Sequence, residues 1–131
     1  MAVEVHLVTP DREVWSGTVE LLVARGVEGM VGIMGGHAPL LIQLAIGPLR
    51  MQDESGGWQE AVVDGGFLHV SCEGGATRAD VLAANAELAA EIDVEASRRR
   101  LEELRGRDLD EDDEAAKTEI AKAEARVALV S

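Results

Sequence analysis

Residues 76–106 read ATRADVLAANAELAAEIDVEASRRRLEELRG, and two kinds of protein meet inside that stretch. Its first seven residues, to Leu82, form one more short strand of the kind that fills the chain before it. From Ala83 onward Ala, Glu, Arg, Lys and Leu dominate, and the only glycine left is Gly106. Asp93 has the short acidic side chain that caps a helix N-terminus, and Gly106 stands where a helix can end in left-handed backbone. Between them Val94, Ser97, Leu101 and Leu104 recur at intervals of three, four and three, which is one narrow apolar seam.

A second helix starts near Asp112 or Asp113 and carries Ala116, Ile120, Ala123, Val127 and Val130 at intervals of four, three, four and three. The pattern predicts helices at about 93–105 and 113–129. The acidic connection between them, 107–113, is short enough to make them antiparallel. Such a hairpin buries little. Each helix is near the ~12–15 residues below which an isolated helix is marginal in water, so the arm is a candidate moving part.

Upstream, apolar residues alternate with polar ones in short runs. Val3, Val5 and Leu7 are followed by a Pro10-Asp11 break, and Val19, Leu21 and Val23 follow a Ser16-Gly17 turn. Leu40, Ile42, Leu44 and Ile46 end at Gly47-Pro48, and Gly65-Gly66 separates 61–63 from 67–71. Period-two alternation with frequent turn residues predicts an all-β sandwich or barrel of about ten short antiparallel strands over residues 1–84. The helical hairpin then takes residues 85–131.

Composition narrows the function. Only Trp15, Trp58 and Phe67 are aromatic, so the core is aliphatic. Acids outnumber bases 25 to 12, for a formal net charge of −13, which argues against nucleic acid or anionic lipid as a direct partner. No run approaches the ~18 apolar residues of a membrane-spanning helix, and the N-terminus has no signal-peptide pattern. The lone Cys72 fits a reducing compartment.

No catalytic, cofactor or metal site is legible. His69 and Cys72, three apart on a predicted strand, point to opposite faces and cannot share an ion. The glycines at 26, 29, 32, 35 and 36 lack the lysine of a phosphate loop, since no lysine precedes Lys117. A tight hairpin explains them better. His37, between Gly36 and Ala38-Pro39, is suited to fixing a loop through its ring nitrogens.

Several stretches together resemble the ε family of F-type ATP synthases. They are Val8-Thr9-Pro10, Trp15-Ser16-Gly17, Glu28-Gly29-Met30-Val31-Gly32-Ile33, Gly36-His37-Ala38-Pro39-Leu40-Leu41, Gly47-Pro48-Leu49-Arg50, Gly65-Gly66-Phe67-Leu68-His69-Val70 and Ala79-Asp80-Val81-Leu82-Ala83. The resemblance implies a ten-stranded β-sandwich followed by a two-helix hairpin, in a non-catalytic central-stalk subunit. It implies that the sandwich docks on the γ subunit and the c-subunit ring. It further implies that the hairpin either folds onto the sandwich or extends into the α/β catalytic head, where it would block ATP hydrolysis. On the same expectation lipid is not contacted directly, and the protein sits at the cytoplasmic side of the plasma membrane as a peripheral part of the complex. The alternative reading is a free-standing β-sandwich interaction module with a helical dimerisation tail.

The same resemblance puts the 27–36 turn at the end of the sandwich that meets the c-ring. It makes Glu28, Met30, Ile33, Gly36 and His37 partner-facing. The following strand, Leu40 to Ile46, is apolar on both faces, with Leu41 and Ala45 opposing Leu40, Ile42 and Leu44. That fits partner contact at Leu41 and Ala45, while a fully buried strand gives the same pattern. Arg98, Arg99 and Arg100 form a basic cluster in an acidic chain and are the residues expected to meet acidic segments of the head. Two departures stand out. Gly35 occupies the place of a proline before Gly-His, giving a freer loop. Some relatives bind ATP through Ile/Leu-Asp-x-x-Arg-Ala, whereas here Ile92-Asp93-Val94-Glu95-Ala96-Ser97 has Ala96 in place of the arginine. ATP binding is therefore expected to be weak or absent.

Overall fold

The computed structural model describes residues 2–107 and 113–130. Within them β1 (Val3–Val8), β2 (Glu13–Val19), β3 (Leu21–Gly26) and β4 (Gly29–Met34) precede two long strands, β5 (Leu40–Gln52) and β6 (Trp58–Glu73). Then come β7 (Ala76–Ala83), β8 (Ala86–Leu88), a 3-10 turn at Ala89–Glu91, and helices α1 (Val94–Arg105) and α2 (Glu114–Val130).

The long strands make the sandwich. β5 and β6 pair antiparallel in one constant register from Leu40↔Val70 to Gln52↔Trp58, with a single gap in the ladder between Leu44↔Gly66 and Ile46↔Asp64. On one side of that gap β6 pairs with β7, and on the other with β8. One layer is therefore β2, β1, β7, the second half of β6 and the first half of β5. The other is β8, the first half of β6, the second half of β5, β3 and β4. Eight continuous strands thus supply five segments to each layer, close to the ten short strands expected.

The differences from expectation have one cause. Gly47-Pro48 and Gly65-Gly66, expected to end strands, instead lie inside β5 and β6 and bend them. Gly66 has φ +124°, and a Cβ there would sit 2.1 Å from the Leu82 carbonyl oxygen, so only glycine lets the two strands approach this closely. Ser16-Gly17, expected to be a turn, lies within β2. There the Trp15 ring covers Gly17, where a Cβ would meet it at 2.8 Å. The pairings are antiparallel except that β1 runs parallel to β7, the partners being remote in sequence and not constrained by a hairpin.

The core between the layers is aliphatic, built from Val3, Val5, Leu7, Leu22, Ile33, Leu49, Met51, Leu68 and Val70, all at most 1% exposed. Asp93 caps α1 by accepting the Ala96 N–H at 3.0 Å, and Asp113 caps α2 by accepting that of Ala116 at 3.0 Å. Gly106 ends α1 in right-handed backbone, φ −78° and ψ −9°, and not in the left-handed form expected. Its N–H reaches back to the Glu102 carbonyl, so the last turn simply continues through it. The helices meet through Leu101, Leu104 and Ala123, flanked by Ile120 and Val127. The connection at 108–112, Asp112 included, lies outside the described residues.

The bend at Gly66 gives the first prediction. Gly66→Ala should destabilise the protein by about 3 kcal/mol or more, because strained backbone and a backbone clash add. Gly32→Ala, where a Cβ meets nothing closer than 3.7 Å, should cost under about 1 kcal/mol by the same urea-unfolding measurement.

Candidate functional site

The outer face of the second layer is covered along β5 and β6, and that of the first is bare. In β6, Ala61 and Val63 face the core, so Val62 and Asp64 face outward, yet Val62 is 0% exposed. α2 lies over β5 and β6 at this point and covers it. Arg126 of α2 reaches down to the sheet. Its two terminal nitrogens donate to both Asp64 carboxylate oxygens at 2.9 Å each, and its Nε donates to Glu87. Asn85 donates to the same Asp64 carboxylate at 3.2 Å. Burial works against the Arg126 charge, but the two carboxylates outweigh it and hold its pKa above the usual arginine value. At the root of the hairpin, Arg12 donates to both oxygens of Glu91, whose carboxylate also accepts the Leu88 N–H.

Two exposed apolar areas remain uncovered. The first surrounds the tip of the β3–β4 hairpin, where Gly26 faces Gly29 across a two-residue turn and Gly29 has φ +138°. Val27, Met30 and Leu41, 56–67% exposed, stand around a groove of about 460 Å³ that Glu28 and Gln43 also line. The second is a row across four strands: Gln43, Phe67, Leu82 and Val8 are successive partners, so their side chains share one face. Phe67 and Leu82 are about half exposed there.

Of the residues expected to face a partner, Glu28, Met30 and Leu41 come together at the groove, and Ala45 is half-buried farther along β5. Ile33 does not belong with them. It is fully buried because β4 turns it toward the core, and its side chain offers no surface. Gly36 and His37 lie off the groove, on the crossover from β4 to β5. The Gly36 N–H donates to Thr77 Oγ1 at 2.8 Å, His37 Nδ1 to the Ala38 carbonyl at 2.7 Å, and Cys72 Sγ to the His37 carbonyl at 3.3 Å. The loop that Gly35 was expected to free is thus pinned to neighbouring strands at two points, Thr77 and Cys72. His69 faces outward, away from Cys72. Among the described residues no three His, Cys, Asp or Glu converge as a metal site, and no helix is long and apolar enough to cross a membrane.

Residues 2–89 match the family model of the ATP synthase delta/epsilon chain β-sandwich domain. The chain belongs to the ATP synthase delta/epsilon chain family. It is 44% identical over 107 residues to an ATP synthase epsilon chain of Streptomyces coelicolor, covering 80% of this chain and 83% of that one. It is 38% identical over 126 residues to that of Thermobifida fusca, covering 95% and 90%. Among solved structures, a chain of the Euglena gracilis mitochondrial ATP synthase assembly of OSCP, F1 and c-ring superposes with a TM-score of 0.82. It is 27% identical, with 99% of this chain and 82% of that one covered.

Against that family the remaining sequence-predicted positions fall as follows. Ile92 is buried, Asp93 is spent on the α1 cap, and Ala96 is half-buried with no charged group to offer. Arg98, Arg99 and Arg100 are all exposed on α1, the helix that packs chiefly on α2. Arg98 pairs with Glu95 at 3.5 Å and Arg100 with Glu103 at 3.6 Å, both one turn away on the same helix. Sequence reasoning missed two features. The Phe67-Leu68 and Val81-Leu82 doublets, apolar at both strand parities, were the available signal for the exposed row. Nothing in the spacing of Asp64, Glu87 and Arg126 announced their convergence.

Proposed function

We propose that the chain is the rotor ε subunit that couples c-ring rotation to ATP synthesis, and that its hairpin brakes ATP hydrolysis. One observation carries this reading: a strongly acidic chain leaves apolar surface bare at the β3–β4 tip and across the first layer, while its own hairpin covers β5 and β6 of the second. A contiguous exposed apolar area marks a partner site. The groove at Val27, Met30 and Leu41 is assigned to the c-ring and the Phe67–Leu82 row to γ. The Euglena neighbour comes from an assembly that includes F1 and the c-ring, which supports these partners. On this reading the protein is peripheral to the membrane, on its cytoplasmic side, and has no nucleotide chemistry of its own.

The paired substitution Met30→Asp with Leu41→Asp should leave the isolated chain folded, both side chains being at least 60% exposed, and should lower its retention by the assembled complex at least tenfold. Retention at the wild-type level would remove the groove as a docking site.

Truncation after Leu88 keeps all eight strands and removes the hairpin. Steady-state assays of the complex should then show faster ATP hydrolysis with coupling retained. Changing Arg98, Arg99 and Arg100 together to alanine should give part of the same relief, since their intrahelical pairs are worth only ~0.2–0.5 kcal/mol each and leave them available to a partner. Neutralising Arg105 and Arg107 instead is the control, those two lying at the helix end where the dipole already favours them.

ATP binding to the isolated chain should be weak or absent. Ala96 supplies no phosphate contact, and Arg126, the basic side chain nearest the sheet in the recess under the hairpin, is fully engaged by two carboxylates. Each charge-assisted hydrogen bond to phosphate is worth ~1.5–3 kcal/mol. Calorimetry should find no micromolar site, and Ala96→Arg should tighten whatever binding exists.

A further inference from the structure

The groups that hold the hairpin down are unevenly distributed. α1 packs chiefly on α2, and of the two helices it is mainly α2 that lies on β5 and β6. Its only fully buried apolar side chain is Ala123, which belongs to the seam with α1 and not to the sheet. The closest bonds from α2 to the sandwich are those of Arg126, whose side chain is 12% exposed. Asp64 is 3% exposed and stands in an otherwise apolar run of β6, Ala61-Val62-Val63. A carboxylate at that depth is tolerated only when paired. Its burial comes from the helix above it, because the face it occupies is an outer one.

We propose that Arg126, Asp64 and Glu87 form a ligand-independent latch that closes the hairpin onto the sandwich. The geometry suits a latch better than a permanent strut. When the hairpin is docked, the planar guanidinium meets one carboxylate with two parallel bonds and a second carboxylate with its remaining edge. When it lifts, Asp64 and Glu87 become surface carboxylates and Arg126 a solvated cation, so neither state strands a buried charge. Asp64 keeps its Asn85 partner throughout, because β6 and the residue before β8 are both sandwich. The docked state is therefore selected by a polar device whose loss leaves the sheet intact.

The latch bears on regulation of the proposed brake, but its closure is measurable on the isolated full-length chain. Hydrogen exchange followed residue by residue separates α2 from β6. In Arg126→Ala and in Asp64→Asn, protection of α2 amides should fall at least fivefold while that of β5 and β6 stays within twofold of wild type. The double variant should be no looser than the weaker single variant, because each single change already opens the latch. Arg126→Lys, which cannot make the paired bonds, should fall between. Unchanged α2 protection in both single variants overturns the proposal, as does parallel loss from β6, which would make the triad part of the sandwich's own stability. Hydrolysis by the complex carrying the truncated chain tests the brake separately: a brake that fails there leaves the exchange result standing.

Discussion

The whole architecture depends on the paired ladder of β5 and β6 staying continuous through a bend. Two separate pairs of strands could build two layers, but they would leave the layers joined only by loops. Here the same two strands run through both layers, so the register that sets one layer sets the other. A one-residue slip would turn every buried side chain outward. The bend is possible because Gly65 and Gly66 adopt positive φ and because no Cβ stands between Gly66 and the Leu82 carbonyl. It also aims Asp64. As the last residue before the glycine pair, Asp64 sits at the end of the second layer's outer face, where the backbone turns away and leaves room above it for a long side chain from α2.

Much of this was legible in the sequence. The composition change near Ala83, the Asp93 cap and both helical seams can be read from residue type and spacing, because helix capping and amphipathicity are local. Glycine was read correctly as a mark of irregular backbone, but at Gly47 and at Gly65-Gly66 wrongly as a mark of strand ends. A Gly-Gly pair that terminates a strand and one that bends it have the same local chemistry, and only pairing to a distant neighbour separates them. Ile33 failed for a related reason. Its motif was recognisable, but which strand parity faces the core depends on the register with β3. The Arg126 contacts join residues 62 and 39 positions apart, and no local pattern predicts them.

The two outer faces of the sandwich solve opposite problems. On the second layer, Val62 and its neighbours are shielded within the chain by α2. On the first, Phe67, Leu82 and Leu41 remain open to water in a protein of net charge −13. The excess negative charge keeps such a surface from pairing with a second copy of itself. A permanent partner of complementary shape overcomes that repulsion only by burying the apolar area, which makes the contact selective.

The hairpin's thin seam suits an arm that lifts, as the proposed latch requires. An arm that spends time off the sheet exposes whatever it buried while docked, so a wide apolar underside would cost stability and solubility each time it lifted. α1 buries only Leu101 and Leu104 fully, and α2 only Ala123. With so little apolar area beyond Val62, docking in one defined place cannot come from hydrophobic burial alone, which is non-directional. It has to come from groups with fixed geometry that are also content in water. A guanidinium between two carboxylates meets both requirements: buried, it fixes one orientation, and released, all three charges are hydrated. The narrow seam and the buried ion triad are thus two sides of the same design constraint.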